Sequence, residues 1–309
     1  RDGSDPLPVE GQFALLLTHD VDRPYKSLQA PYYALRDRDP GHLRALKPSV
    51  NPWWQFETVM EMESDLGVRS AFYFLREPSI AAGPMRNVLT PRRWVEHLGR
   101  YDLDDQRIVE VVGRLVDGGW EVGLHGSSDA YDDRDRLRFE KDRLEAVTGT
   151  PVAGGRQHCL NLSIPETWRH HAAIGLDYDA SLGTSSRYGF RFGYRELRPF
   201  DDEFVVFPTT LMEKALPSPR TDFETARADC ARLVEEARNN RAVMTVLWHP
   251  RVFADGDFPG YRRLYRWLVE YARERGAWIG PPREFYRRLE DGRSSTAATE
   301  PGPTGATSP

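Results

Sequence analysis

Three titratable residues stand directly after an apolar run near the start of the chain. The run Phe13 to Leu17 is followed by Thr18, His19, Asp20, Val21 and Asp22. An apolar run of this length, bounded by a glycine and a polar break, indicates a buried parallel strand, and such strands present functional groups at their C-terminal ends. Carboxylate and imidazole side chains can carry out chemistry, so the stretch predicts a strand that leads into a functional site.

Other residues suited to the same chemistry also follow predicted strands. His125 ends the stretch WEVGLH, and Asp129 follows four positions later. Arg156 and His158 come after PVAGG, and His249 comes after TVLW. Four of the eight histidines therefore stand at strand ends. A single histidine there would more often be structural, but four histidines and two aspartates together favour an active site at the C-terminal edge of a sheet.

Strands and helices alternate between these residues. The helical pattern PWWQFETVMEMESDLG precedes the strand VRSAFYFL, DDQRIVEVVGRLVDGG precedes WEVGLH, and DRDRLRFEKDRLEAVTG precedes PVAGGR. The short strands LDYDAS and EFVVFP follow, and later the strands AVMTVLWHP and AWIG alternate with further helices. This order predicts an α/β protein with a parallel sheet, either a barrel or an open doubly wound sheet. No G-x-G-x-x-G follows the first strand, which disfavours a dinucleotide site.

Composition sets the outer limits. The 309 residues suffice for one α/β barrel, and a net charge of −5 offers no basic face for nucleic acid. Two cysteines cannot form a disulfide framework, and no apolar run approaches the roughly 18 residues of a membrane span. We expect a cytoplasmic protein, although a first residue that is Arg is also compatible with a removed leader. The domain limits predicted are an extension over 1–10, a barrel over 11–290 and a disordered tail over 291–309.

Five motifs in order resemble the polysaccharide deacetylase superfamily, also called the NodB-homology or carbohydrate esterase 4 domain. The motifs are THDVD, HGSSD, GGRQHCL, LDYDASLG and LWHP, and the resemblance covers roughly residues 11–290. It is similar in particular to a divergent branch with HDVD and LHGS signatures. The resemblance implies a distorted (β/α) barrel of about seven parallel strands that hydrolyses amides of N-acylated sugars with a divalent metal.

The resemblance also implies roles for single residues. Asp20 matches the general base, Arg156 the residue that pairs with it, and His249 the general acid, whose ring Asp179 or Asp177 would orient. The implied metal ligands are Asp22, His125 and Asp129. The metal would be Zn, with Mn, Fe, Co or Ni as alternatives. Asp129 could instead cap the next helix, and Asp22 stands one position later than the family's ligand.

Four further residues are predicted to bind substrate or support the site: His158, Asp179, Trp248 and His19. His158 could also be a spare ligand, and His19 could simply replace an apolar residue of the family motif. Residues 23–54 form a connection too long for an ordinary βα loop, and their aromatic side chains could stack on sugar rings or pack on the surface. The loop 184–200 offers a second set of arginines and aromatic residues.

The function predicted from this resemblance is a metal-dependent amide hydrolase that removes an acyl group, acetyl in the first place, from an N-acylated sugar. The sugar would belong to a surface polysaccharide or a glycolipid precursor, with no nucleic acid as partner and no oligomeric state specified. Two alternatives stay open. One is a deformylase or another C–N hydrolase acting on a non-sugar or lipid-linked substrate, and the other is a catalytically inactive barrel that binds carbohydrate.

Overall fold

The computed structural model describes residues 7–47, 49–78, 88–90, 94, 97–200 and 203–297. Within them, nine strands form one sheet. The strands are β1 (Phe13–Val21), β2 (Ala71–Leu75), β3 (Glu121–Gly126), β4 (Gly154–Gln157), β5 (Tyr178–Asp179), β6 (Val205–Val206), β7 (Thr209–Met212), β8 (Val243–Leu247) and β9 (Ala277–Gly280). All named strands pair in parallel.

The described helices connect these strands. They are α1 (Ala30–Asp37), α2 (Phe56–Asp65), α3 (Gln106–Asp117), α4 (Arg134–Thr148), α5 (Glu166–Ala173), α6 (Phe223–Asn239), α7 (Tyr261–Glu274) and α8 (Pro282–Ala297). None of these helices combines the length and apolar character needed to cross a membrane. The predicted alternation of strand and helix is confirmed along the described chain.

The sheet is curled into a distorted (β/α) barrel, as predicted. Its order is β6-β5-β4-β3-β2-β1-β8-β7, and β9 pairs with the first half of β1. The segment 205–212 pairs with β5 at its start and with β8 at its end, so one bent stretch of chain joins the two edges. The resemblance implied about seven strands and the sequence pattern indicated eight; the ninth is β7, a short TTLM stretch without a distinct sequence signal, which continues the bent segment that β6 begins.

Alternation along β1 separates two cores. Phe13, Leu15 and Leu17 pack with the helices outside the sheet, while Ala14 and Leu16 face the barrel interior with Tyr73 and Tyr178. The interior is narrow, so a glycine opposes each tyrosine ring; a Cβ on Gly154 would lie 2.3 Å from Tyr178. At the N-terminal end of the barrel, Phe285 of α8 closes the interior, joined by Leu7 and Val9.

The limits of the predicted domains differ from the helices observed at the end of the chain. Helix α8 continues to Ala297, so residues 291–297 are helical where a disordered tail was predicted. The remaining residues of that tail, 298–309, lie outside the described residues, as do residues 1–6 of the predicted extension. Leu7 and Val9 of the extension are buried.

The loop 184–200 does not lead to the strand ends that carry the candidate site. It turns along the side of the barrel, where the carbonyl oxygen of Tyr194 accepts a hydrogen bond from Val243 N at the start of β8, 2.7 Å away. Because the candidate residues follow the ends of the strands, this part of the loop lies near the opposite end of the barrel. Its arginines and aromatic residues are therefore poorly placed for the sugar-binding role expected from the sequence.

A buried carboxyl group at the N-terminal end of β3 makes stability depend on pH. Burial raises the pKa of Glu121 to about 7, although hydrogen bonds from the Tyr178 hydroxyl and the Arg283 amide act in the opposite direction. Since this pKa lies above the value of the unfolded chain, the folded state retains the proton between the two pKa values. The stabilisation is complete below about pH 4.5 and is lost as pH rises through about 7.

We expect Glu121→Gln to remove this pH dependence. A neutral amide resembles the protonated acid, so between pH 5 and pH 8 the free energy of unfolding of the variant should fall by ~3 kcal/mol less than that of the wild type. Denaturant unfolding at several pH values measures the slope, with the exposed Glu284→Gln as the matched control. Equal slopes in wild type and Glu121→Gln would contradict the assignment.

Candidate active site

The end of β1 directs its polar residues to two different environments. Thr18 and Asp20 face the barrel interior, where both accept hydrogen bonds from Arg156. Asp22, the residue after the strand, lies on the same side, while Val21 is buried in the outer core. Asp20 and Asp22 therefore reach one site by ordinary strand alternation.

His19 lies on the opposite side of β1, in the core. Its Nδ1 is 2.5 Å from the Trp248 carbonyl oxygen and its Nε2 is 3.0 Å from Glu63 Oε1. The other oxygen of Glu63 accepts hydrogen bonds from Ser70 and Trp120. This fully buried network has no surface toward a substrate, which corrects the prediction that His19 binds substrate.

Trp248 is also misassigned by the sequence interpretation. Its side chain is fully buried and packs against Tyr261 and Tyr265, with ring centroids 6.3 and 5.5 Å away. The indole is thus part of the outer core beneath α7, and a substrate at the barrel mouth cannot contact it. The neighbouring His249, by contrast, does face the candidate site.

Three buried side chains bring potential metal ligands together. One ligand atom from each of Asp22, His125 and His158 lies within 4.8 Å of the other two. Nε2 of His125 is 3.1 Å from Asp22 Oδ1, and Nε2 of His158 is 3.9 Å from the same oxygen. Two imidazole nitrogens and one carboxylate oxygen suit a divalent transition metal such as zinc.

The opposite ring nitrogens are held in the way that metal-binding histidines require. Nδ1 of His125 lies 2.9 Å from the Arg156 carbonyl oxygen, so it must carry the proton, which leaves Nε2 as the free lone pair. Nδ1 of His158 lies 2.9 Å from Ser128 Oγ and 3.5 Å from Glu77 Oε2. The residues present therefore fit a metal ion bound through Nε2 of both histidines.

The cluster contains His158 in place of the predicted ligand Asp129. Among the described residues, Asp129 is not part of any group whose ligand atoms converge. The alternative role proposed for Asp129, capping the next helix, belongs to Asp133, whose side chain accepts a hydrogen bond from Arg136 N at the start of α4. Because Asp129 stands on the turn after β3, the exact path of that turn decided where its carboxylate points.

Asp22 has a second set of partners on its other oxygen. Arg251 Nη1 donates to Asp22 Oδ2 over 2.9 Å, and Nε2 of His249 lies 3.3 Å from the same oxygen. Burial alone would raise the pKa of Asp22, but His249, His125 and Arg251 together hold it well below its usual value. Asp22 is therefore ionised, and it contacts the two histidines of the cluster through one oxygen and Arg251 and His249 through the other.

Asp20 is fixed by a buried ion pair. Arg156 Nη1 donates to Asp20 Oδ1 over 2.7 Å, while Asp20 Oδ2 lies 3.8 Å from Nε2 of His125. Burial would raise the pKa of Asp20, but the charge of Arg156, aided by His125 and His249, lowers it. The pairing implied by the family motif is present, and one carboxylate oxygen remains directed at the cluster.

His249 is oriented by a residue that the sequence interpretation missed. Its Nδ1 lies 2.6 Å from Oε1 of Glu213, the residue that directly follows β7. Burial would lower the pKa of His249, but the charge of Glu213 raises it. Asp179, predicted to orient this ring, instead accepts hydrogen bonds from Trp168 and Ser181.

Two other site residues were also missed: Arg251 and Glu77. Arg251 stands two positions after His249, and Glu77 stands two positions after the last residue of β2. A signal was available for both, since each follows a predicted strand at its C-terminal end, as Asp22 does. Glu213 had no such signal because its strand was not recognised.

Comparisons with known proteins place the fold. No family model matches the chain, and no curated protein does. A Mycobacterium smegmatis protein assigned as a polysaccharide deacetylase superposes with a TM-score of 0.62 at 17% identity, over 99% of this chain and 97% of that chain. A Pseudomonas aeruginosa PAO1 protein with the same assignment gives 0.58 at 13% identity, over 93% and 95%. The chain thus has the fold of solved structures assigned as polysaccharide deacetylases.

Metal binding distinguishes the ligand set of the structure from that of the sequence. We expect His125→Ala and His158→Ala each to weaken zinc binding by more than ~100-fold, because each removes a direct ligand. Asp129→Ala should keep wild-type affinity. Elemental analysis after dialysis and a competitive zinc titration measure occupancy, and circular dichroism checks folding. Loss of zinc in Asp129→Ala with retention in His158→Ala would restore the original assignment.

Proposed function

We propose that this protein is a metal-dependent amide hydrolase that removes an acyl group, acetyl in the first place, from an N-acylated sugar. The substrate would be a surface polysaccharide or a glycolipid precursor. The observation that carries the proposal is the position of the Asp22, His125 and His158 cluster. It lies between Asp20, which is paired with Arg156, and His249, whose Nδ1 contacts Glu213. This arrangement lies at the C-terminal ends of the strands, in a fold shared with proteins assigned as polysaccharide deacetylases.

The residues divide the work of amide hydrolysis between them. A divalent metal held by Asp22, His125 and His158 would supply Lewis acidity for the acyl carbonyl oxygen and the attacking water. Asp20 is ionised, and its Oδ2 is directed at the cluster, so it can take the proton from that water. Arg156 keeps Asp20 in place and in the charged form.

His249 supplies the second proton. An amine leaves poorly unless its nitrogen is protonated, and the Nε2 of His249 points to the cluster from the side opposite His125 and His158, across Asp22. Glu213 holds the other ring nitrogen and favours the cationic ring. One proton thus passes from water to Asp20 and one from His249 to the departing nitrogen, which balances the hydrolysis.

The direct test is release of a carboxylic acid from defined sugars. Protein loaded with zinc is incubated with N-acetylglucosamine oligomers and with N-formylated amino sugars, and acetate and formate are quantified. Acetate release that requires the metal and is lost in His125→Ala supports the proposal. Metal binding with neither acid released from any N-acylated sugar would contradict it.

Two variants separate proton transfer from metal binding. Asp20→Asn and His249→Ala should each lower kcat by about 10²–10⁴, because each removes a group that moves a proton, while zinc content is retained. Asp20→Asn also leaves Arg156 without its charged partner, so thermal unfolding must show that the variant is folded at the assay temperature. Near-native kcat in a folded, metal-loaded variant would remove that residue from the mechanism.

Glu213 should act by positioning His249. We expect Glu213→Ala to lower kcat by about 10-fold or more with little change in KM, and Glu213→Gln, whose amide oxygen can still accept from Nδ1, to recover part of the loss. Asp179→Asn provides the matched control, since it changes the carboxylate that does not reach His249. A larger kcat loss in the control than in Glu213→Ala would return the orienting role to Asp179.

A further inference from the structure

The segment between β1 and α2 covers the candidate site on one side and exposes apolar side chains on the other. We define residues 23–47 and 49–54 as the cap. Its inner face contains Trp53, which is buried and lines a small cavity together with Asp20 and Asp22. The ring of Tyr33 in α1 packs against Trp53 with centroids 5.1 Å apart. Helix α1 therefore lies directly above the residues that flank the site.

A buried ion pair fixes the cap to the barrel. Lys26 Nζ donates to Asp257 Oδ2 over 2.5 Å, and the Trp53 indole donates to the same oxygen over 2.7 Å. Lys26 also contacts Nδ1 of His42, 2.6 Å away. These contacts hold the inner face in a defined position, so the orientation of the outer face is defined as well.

The outer face of the cap carries a group of exposed apolar side chains. Leu28, Tyr32 and Leu35 are spaced as on one face of a helix and are 61, 45 and 82% exposed. Leu43 and Leu46 share one side of the 3-10 helix Pro40–Leu46 and are 41 and 49% exposed. That helix packs against α1, and each has an alanine, Ala30 or Ala45, buried beneath it.

The charge of the cap differs from that of the rest of the chain. Residues 23–54 contain six Lys and Arg residues against two Asp, a net charge of +4, whereas the whole chain carries −5. The exposed charges among them are Arg36, Arg38, Arg44 and Lys47 against Asp37 and Asp39, a net charge of +2, and Arg36 pairs with Asp37. Exposed apolar side chains together with an excess of cations on short amphipathic helices are the combination that binds at an anionic lipid surface.

We propose that the outer face of the cap docks on an anionic lipid surface. The leucines and Tyr32 would enter the headgroup region, and the arginines and Lys47 would remain at the level of the lipid phosphates. The acidic remainder of the chain disfavours any other orientation on such a surface. The inference goes beyond the proposed function and requires no turnover, so either can fail without the other.

Vesicle flotation tests the proposal on the whole protein. We expect binding to vesicles that contain both phosphatidylglycerol and phosphatidylcholine and little binding to vesicles of phosphatidylcholine alone. Binding should be lost as the salt concentration rises from about 0.05 to about 0.5 M. Leu35→Ser with Leu46→Ser should lower the partition coefficient by ~10-fold or more. The matched control, Val109→Ser with Phe139→Ser, alters side chains that are 39 and 50% exposed on α3 and α4 and should bind as wild type.

A charge variant separates the two contributions. Arg38→Glu with Arg44→Glu should reduce binding by ~10-fold or more at low salt, while Arg134→Glu with Arg169→Glu, whose side chains are 55 and 62% exposed elsewhere, should have a smaller effect. Absence of vesicle binding, or equal binding of cap and control variants, would overturn the proposal. A concentration-dependent dimer that Leu35→Ser with Leu46→Ser abolishes, without vesicle binding, would instead assign the face to a second copy of the chain.

Discussion

The buried ion pair of Arg156 and Asp20 fixes the positions of several strands at the end of the barrel where the candidate site lies. A guanidinium without solvent must be paired and hydrogen-bonded, since one unpaired charge in the interior costs several kcal/mol. Arg156 meets this requirement with Asp20 and Thr18 of β1, the Ala180 carbonyl oxygen after β5 and the Thr209 hydroxyl of β7. One side chain thereby fixes three strands relative to β4, and it leaves the second oxygen of Asp20 directed at the cluster of Asp22, His125 and His158.

Asp22 joins the two chemical halves of the site because its oxygens face in different directions. Oδ1 faces the Nε2 atoms of His125 and His158, whereas Oδ2 is held by Arg251 and lies beside His249. A carboxylate held on one oxygen by a guanidinium presents its other oxygen in a fixed direction. Such a side chain would not have to rearrange to bind a metal. The same contacts set the distance between the ligand cluster and the proposed acid.

The cap adds a second boundary to the site. Its inner face is anchored by Lys26, Trp53 and Asp257, which limits the space above Asp20 and Asp22. Its aromatic residues are therefore divided: Trp53 is structural, while Tyr32 is exposed on the outer face. The sequence left open whether these aromatic residues stack on sugar rings or pack on the protein; Trp53 packs, since its ring contacts Tyr33 and its indole donates to Asp257.

The sequence by itself determined the parallel α/β architecture and the strand ends at which Asp20, Asp22, His125 and His249 stand, because periodicity and chain order are local properties. The strand alternation that places His19 in the outer core was readable too, since Thr18 and Asp20 are both polar and face one side. Only the tertiary structure decided that His158, and not Asp129, lies beside Asp22 and His125, and that Glu213, and not Asp179, contacts His249. These choices depend on the curvature of the sheet and the paths of its turns, which bring residues far apart in sequence to within hydrogen-bonding distance and leave nearer ones outside it.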